Sequence, residues 1–234
     1  MNLSQNINST ELNVSLIVIG DEILNGRTTD LNGSWLSKFL FKKGLTLASI
    51  SFIRDNEIEM KTALKNAFNQ SDIVITSGGV GPTLDDKTKK VFSEYFNKTC
   101  IERDDVAEIV IDNYTRFGRI WNKNLNHYHI FPQDFTPIKN PKGLAPGLLF
   151  FDDKENKLLL CGPGVPREFQ AMTEFEFLPK ITKYFKDKIK ENYQVVIRTQ
   201  GIPEEKIFNE LCPELWGQLE NFGKVSSLPH TIGI

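Results

Sequence analysis

The sequence predicts an α/β fold: a doubly wound, mostly parallel sheet covered by helices on both faces. Three observations carry this. Short apolar runs at residues 14–20 and 73–75 have the length and continuity of buried strands, and 45–53 reads as a further strand between them. Each run gives way to a segment with apolar residues at helical spacing. The resulting β-α-β-α-β-α order calls for right-handed crossovers and hence a parallel sheet.

Residues 1–13 are polar at their start and read as a disordered lead. The first strand closes on Gly20, with Asp21 and Glu22 directly behind it. Trp35, Leu36, Phe39 and Leu40 then form one helical face that ends at Gly44, a left-handed stop. The second strand, 45–53, leads to Asn56, a capping residue for a helix whose inner face is Met60, Leu64, Ala67 and Phe68. The third strand runs into Ser77-Gly-Gly-Val-Gly-Pro-Thr83, the carboxylates Asp85 and Asp86, and a helix carrying Val91, Phe92, Tyr95 and Phe96. Residues 104–117 predict another helix, and 121–129 a polar connection. His127 and His129 have the spacing of metal ligands on a strand, but no third ligand stands beside them, which favours solvated or packing roles.

Prolines and glycines force a loop over 137–147. Residues 148–151 and 157–161 read as a hairpin turning through Asp152-Asp-Lys-Glu-Asn156. It ends in Gly162-Pro-Gly-Val-Pro166, and Arg167 and Glu168 open a long helix through Phe185. Strand patterns at 193–199 and 224–228, around a helix over 201–211, suggest the beginning of a second α/β unit. That piece is too short to bury a core of its own.

The charge is balanced, with 28 basic and 30 acidic residues, which gives no electrostatic footprint for nucleic acid or a membrane surface. Cys100, Cys161 and Cys212 are widely spaced, form no Cys-x-x-Cys pair, and fit a reducing, cytoplasmic compartment. No signal peptide is visible, and no run approaches the ~20 apolar residues of a membrane span.

The candidate site lies where strands end. Glycines allow a sharp turn and let backbone N–H groups approach an anion. Gly78, Gly79 and Gly81 stand directly ahead of Asp85 and Asp86, placing carboxylates beside a phosphate cradle. That pairing favours a metal-assisted site or one that also reads hydroxyls. The same residues would also serve a tight strand-to-helix connection with the two aspartates as caps. Asp21 and Glu22 equally suit ordinary first-turn acids.

Gly20-Asp-Glu-Ile-Leu-Asn-Gly26 with Asp30 and Asn32, Ser77-Gly-Gly-Val-Gly-Pro-Thr-Leu-Asp-Asp-Lys-Thr88, Gly143-Leu-Ala-Pro-Gly147 and Gly162-Pro-Gly-Val-Pro-Arg-Glu168 occur in that order. Together they resemble the molybdopterin-binding (MoCF-type) family, and within it the N-terminal domain of the competence/damage-inducible CinA proteins. The resemblance covers residues 14–192, and 193–234 is similar to the start of that family's small KH-like linker domain. It implies a three-layer α/β domain, forming homodimers or higher homo-oligomers, that takes a small phosphate-bearing nucleotide or pterin. It further implies hydrolysis of ADP-ribose to AMP and ribose 5-phosphate, dependent on a divalent metal (Mg2+ or Co2+) and helped by K+. The family's deamidase domain has no expected counterpart here. The alternatives are a molybdopterin-binding protein of molybdenum cofactor biosynthesis and a non-catalytic nucleotide-binding module. Asp21, where family members commonly carry Thr, is shared with the molybdopterin-insertion relatives and keeps the pterin alternative open.

On this reading Asp85 and Asp86 hold the metal and, with Glu168, form the catalytic carboxylates. The amides of Gly78, Gly79 and Gly81 and the hydroxyls of Thr83 and Thr88 hold phosphate, and Arg167 balances its charge. Asp21 and Asn32 read ribose or pterin groups. Gly20, Glu22, Ser77, Pro82, Pro163 and Gly164 complete the expected substrate-facing set.

Overall fold

The computed structural model describes residues 12–82, 86–190 and 192–228. Two compact units divide between Asn192 and Tyr193. In the first, the strands are β1 (Asn13–Ile19), β2 (Thr46–Ile53), β3 (Ile73–Ser77), β4 (Cys100–Glu102), β5 (Ile130–Pro132), β6 (Thr136–Ile138), β7 (Gly147–Asp152) and β8 (Lys157–Gly162). Its α-helices are α1 (Asp21–Leu24), α2 (Asn32–Phe41), α3 (Glu57–Gln70), α4 (Thr88–Tyr95), α5 (Asp104–Arg116), α6 (Pro166–Met172) and α7 (Leu178–Phe185), the last two joined by a π-helical turn at Thr173–Phe177.

Six strands form one sheet in the order β2-β1-β3-β8-β7-β6, and β4 pairs with β5 separately. The neighbours β2, β1, β3 and β8 run parallel; β7 is antiparallel to both β8 and β6. The mostly parallel α/β sheet predicted from the sequence is therefore present. Strand periodicity splits the core into two layers. Ile17 and Ile19 face a cluster with Met60 and Leu64 of α3, Phe92 of α4 and Val110 of α5. Leu16 and Val18 face the other side, against Leu36 and Leu40 of α2, Phe169 and Met172 of α6, and Ile181 of α7. Burial on both faces explains why β1 and β3 read as continuous apolar runs, whereas β2, at the sheet edge, alternates exposed and half-buried residues.

Local stops and starts follow the expected chemistry. The Asn56 side chain accepts a hydrogen bond from the Glu59 amide at 2.8 Å, capping α3. Gly44, at φ +78°, ends the segment after α2, and an added Cβ would land on the Lys190 carbonyl.

The second unit, taken alone, holds short helices α8 (Glu204–Lys206) and α9 (Leu215–Glu220) with a π-helical turn at Ile207–Leu211. Its described residues include none that is buried. The strands expected at 193–199 and 224–228 are not formed among the described residues. The segments carry strand-type side chains, but a strand exists only as part of a ladder that satisfies its backbone groups. The predicted lead, apart from Leu12 and Asn13, lies outside the described residues.

Candidate functional site

The parallel strands β1, β3 and β8 end side by side at Ile19, Ser77 and Gly162. The connection from β1 leads outward to β2 on one side, while β3 lies on the other, so the sheet switches direction between β1 and β3. Crevices at such carboxyl edges are where open α/β sheets place ligands. Here the crevice is a cleft of about 610 Å³.

One wall comes from the strand ends. Gly20, Glu22, Gly78, Gly79, Gly81, Pro82, Asp86, Pro163 and Gly164 line the cleft from this side, and Glu168 of α6 lines it on the side of Asn140. Gly78 (φ +111°) and Gly79 (φ +69°) turn the chain through left-handed conformations. The loop is also cross-tied. The Gly78 amide donates to the Gly162 carbonyl at 2.9 Å, and the Thr88 amide donates to the Gly79 carbonyl at 3.1 Å. The Thr88 hydroxyl donates to the Gly78 carbonyl at 3.3 Å, and the Gly81 amide to Asp86 Oδ1 at 2.8 Å.

This changes what those groups do. The amides of Gly78 and Gly81, expected to meet a phosphate, are committed within the protein. Thr88 is fully buried and braces the loop from behind. Asp86 holds the loop through Gly81 rather than standing as the N-cap of α4, a position taken by Lys87. Thr83 and Asp85 lie outside the described residues.

Asn32 and Ser77 sit behind the same wall, both buried. Asn32 Nδ2 donates to Ser77 Oγ at 2.7 Å and to the Gly164 carbonyl at 2.8 Å, tying the start of α2 to the ends of β3 and β8. The α2 terminus is fixed in turn by Asp30, whose carboxylate accepts from the amides of Asn32 (3.0 Å) and Gly33 (2.9 Å). Asp21 is exposed, 3.9 Å from Arg54 Nε, and is not part of the lining. Arg167 is exposed and outside the lining as well.

The opposite wall was not assigned to the site from sequence. Phe117, Arg119, Tyr128 and residues 142–145 form it, and Arg119 and Lys142 are its cationic groups. It is stitched to α5: Asn113 Nδ2 donates to the Leu144 carbonyl at 3.0 Å, and Arg116 Nη1 to the Asn140 and Pro141 carbonyls at 3.1 and 2.8 Å. Fully buried Asn140 donates through Nδ2 to the Ala145 carbonyl at 3.0 Å and to Glu168 Oε2 at 2.7 Å. Gly143 has no room for a Cβ, which would strike the Glu168 carboxylate and the Asn140 amide. The Gly143-Leu-Ala-Pro-Gly147 motif, with Asn140-Pro-Lys ahead of it, was the available signal.

Electrostatics follow burial. Desolvation pushes the Glu168 carboxyl above the usual glutamate range, against the Asn140 hydrogen bond and the Arg167 charge. Tyr128 is raised, first by burial and then by the neighbouring Tyr114, Asp86 and Glu168. Burial lowers Lys89, opposed by Cys100 and Asp86, and its ammonium donates to the His127 carbonyl at 3.1 Å. Cys161, fully buried, is pushed up to about 12 and is inert packing. Among the described residues, no three His, Cys, Asp or Glu side chains gather into a metal centre. No described helix is long and apolar enough to cross a membrane.

The family described as "Probable molybdopterin binding domain" matches residues 15–183. The chain belongs to this family. It is 31% identical, with a TM-score of 0.63, to a crystal structure titled "the protein CinA with unknown function" from Thermoplasma acidophilum, covering 77% of this chain and all of that one. That likeness sets it in the CinA branch. Curated relatives called putative competence-damage inducible proteins include one from Clostridium beijerinckii, 34% identical over 86% of this chain and 48% of its own. The chain thus spans about half the length of the curated relatives it matches. The tungsten cofactor synthesizing protein MoaB of Pyrococcus furiosus shares the fold at 17% identity and a TM-score of 0.51, over 77% of this chain and 98% of that one.

Proposed function

We propose that this CinA-branch domain binds a phosphate-bearing pterin of the molybdopterin type in the cleft between the two walls. One observation carries the reading: a single 610 Å³ cleft at the sheet's switch point combines an apolar, aromatic-edged side with two cations. Phe117, Tyr128 and Leu144 offer contact for a flat ring, and Arg119 and Lys142 replace Arg167 as the partners for phosphate. Asn32, Ser77 and Thr88 act by holding the walls in place. Free thiols at Cys100, Cys161 and Cys212 support a cytoplasmic setting.

The test is a fluorescence titration with 6-hydroxymethylpterin phosphate. Saturable binding with Kd below about 1 mM is expected, weakening in Arg119→Ala and Lys142→Ala. No saturation with wild-type protein would overturn the reading.

A second reading, metal-dependent hydrolysis of ADP-ribose to AMP and ribose 5-phosphate, is favoured by Asp86 and Glu168 lining the same cleft. Mg2+ typically takes one or two carboxylates plus substrate phosphates, and Asp86 with Asp85 would supply them. The ion would neutralise charge on the pyrophosphate. AMP released from ADP-ribose by wild-type protein with Mg2+ or Co2+, and not by Asp86→Ala, is the result it requires.

A further inference from the structure

We infer that Glu168, held by Asn140, recognises the 2-amino-4-oxo edge of a pterin ring and so sets which heterocycle the cleft accepts. The inference rests on the binding reading above and gives its ring specificity.

Four observations converge on this pair. Glu168 lines the cleft together with Leu144 and Ala145, and Asn140 Nδ2 bridges its carboxylate to the Ala145 carbonyl. Among the described residues its hydrogen-bond partner is Asn140 Nδ2, which takes one face of Oε2 at 2.7 Å. Asn140 cannot swing away, because it is fully buried, its Oδ1 accepts from the Lys142 amide at 3.1 Å and its own carbonyl accepts from Arg116. The absent Cβ of Gly143 leaves the space the carboxylate occupies. The result is a carboxylate fixed in place beside an apolar wall, with acceptor capacity beyond the single bond it makes.

An ionised carboxylate only accepts, and its two oxygens match a pair of parallel N–H donors. A 2-amino-4-oxopyrimidine ring presents that pair: one N–H of the exocyclic amine and the adjacent ring N–H, the same fork that guanidinium shows. A lumazine has oxygen in place of the amine, turning a donor into an acceptor against the carboxylate. Adenine places a ring acceptor next to its amine and also lacks the pair. A site with a fixed polar partner rejects analogues that leave it unpaired far more strongly than an apolar pocket rejects a change of size.

The experiment compares 6-hydroxymethylpterin phosphate with the corresponding lumazine phosphate in wild-type protein, Glu168→Gln and Asn140→Ala, with circular dichroism confirming that each is folded. Wild-type protein is expected to prefer the pterin by about tenfold or more. Glu168→Gln, which keeps size but replaces one acceptor with a donor, should lose that preference while still binding both phosphates. Asn140→Ala, a positioning change, should reduce the ratio without abolishing binding. A purely structural role would weaken both ligands alike and leave the ratio intact. Equal wild-type affinity for the two probes, or a preference that survives Glu168→Gln, overturns the inference and leaves the binding reading standing. Binding of neither probe to wild-type protein overturns both.

Discussion

The two walls of the cleft are built by opposite means. The strand-end wall is backbone: glycines at positive φ, pressed against Ile19 and Gly162 and braced from behind by Thr88 and Asn32. The facing wall is side chain: Asn113, Arg116 and Asn140 gather an irregular loop and present Arg119, Lys142 and Glu168. A backbone wall tolerates almost no substitution at its turns. A side-chain wall can lose a group and keep its shape. The two should therefore separate stability from affinity, the first wall governing mainly the fold and the second mainly the ligand.

The strongest test of that division is Gly78→Ala. The new Cβ would land on the Ile19 carbonyl oxygen, at a φ of +111° that L side chains rarely adopt. Neither neighbour is a flexible side-chain end, so the backbone must move. A loss of about 3 kcal/mol or more is expected in urea unfolding. Its counterpart on the facing wall, Gly143→Ala, also places a Cβ against other atoms, but the nearest is the Glu168 carboxylate, a side-chain end that can retreat into the cleft by giving up its Asn140 bond. It should cost only about 1–2 kcal/mol while disturbing ligand selectivity more. Equal stability losses from the two would remove the distinction.

Asn32→Ala comes next. It removes two hydrogen bonds at once and leaves Ser77 Oγ and the Gly164 carbonyl to find other partners. A cost of about 2 kcal/mol is expected, because buried groups left unpaired are penalised more than the bond itself contributes. The accompanying loss of affinity should be smaller than that of Arg119→Ala or Lys142→Ala, since Asn32 acts on the ligand only through the ends of β3 and β8.

Much of the strand-end wall was legible in the sequence, and the physical reason is periodicity. Residues 14–20 and 73–77 are apolar runs that stop at glycine, and such stops mark carboxyl ends of buried strands. The residues gathered there were legible, but the jobs of several were not. Thr88 and the amides of Gly78 and Gly81 look outward in a linear reading and are turned inward by contacts with distant residues. The facing wall was less legible. Residues 117–145 carry no sustained period, and Arg119, Tyr128 and Lys142 meet only because α5 draws the loop across the cleft. Asn140 looked like loop chemistry, and only the tertiary structure places it under Glu168.

On the facing wall, Arg119→Ala and Lys142→Ala sharpen the comparison by what they leave alone. Both side chains belong to exposed residues, so stability should change by no more than about 0.5 kcal/mol. Affinity for a phosphate-bearing ligand should fall by roughly tenfold for each, with a smaller fall at high salt as the attraction is screened. Titrations at two ionic strengths, beside thermal melts, would read both quantities. A large drop in melting temperature would place these residues with the structural wall instead.

The smallest expected effect comes from Glu168→Gln, and its pH dependence tells the two walls apart most finely. The folded Glu168 carboxyl titrates above its ordinary value of 4.5, chiefly because burial disfavours its charge. An acid raised in the folded state contributes its stabilisation in full below that ordinary value and loses it as pH rises through the raised one. At neutral pH the wild-type protein therefore carries the cost of a desolvated charge, which the uncharged glutamine avoids. Glu168→Gln should be the more stable protein at neutral pH, and the gap should close as pH falls toward 4.5. Urea midpoints across that range would show it. The opposite order at neutral pH would mean that the Asn140 bond to an ionised carboxylate outweighs desolvation, so that this carboxylate helps to hold its own wall together.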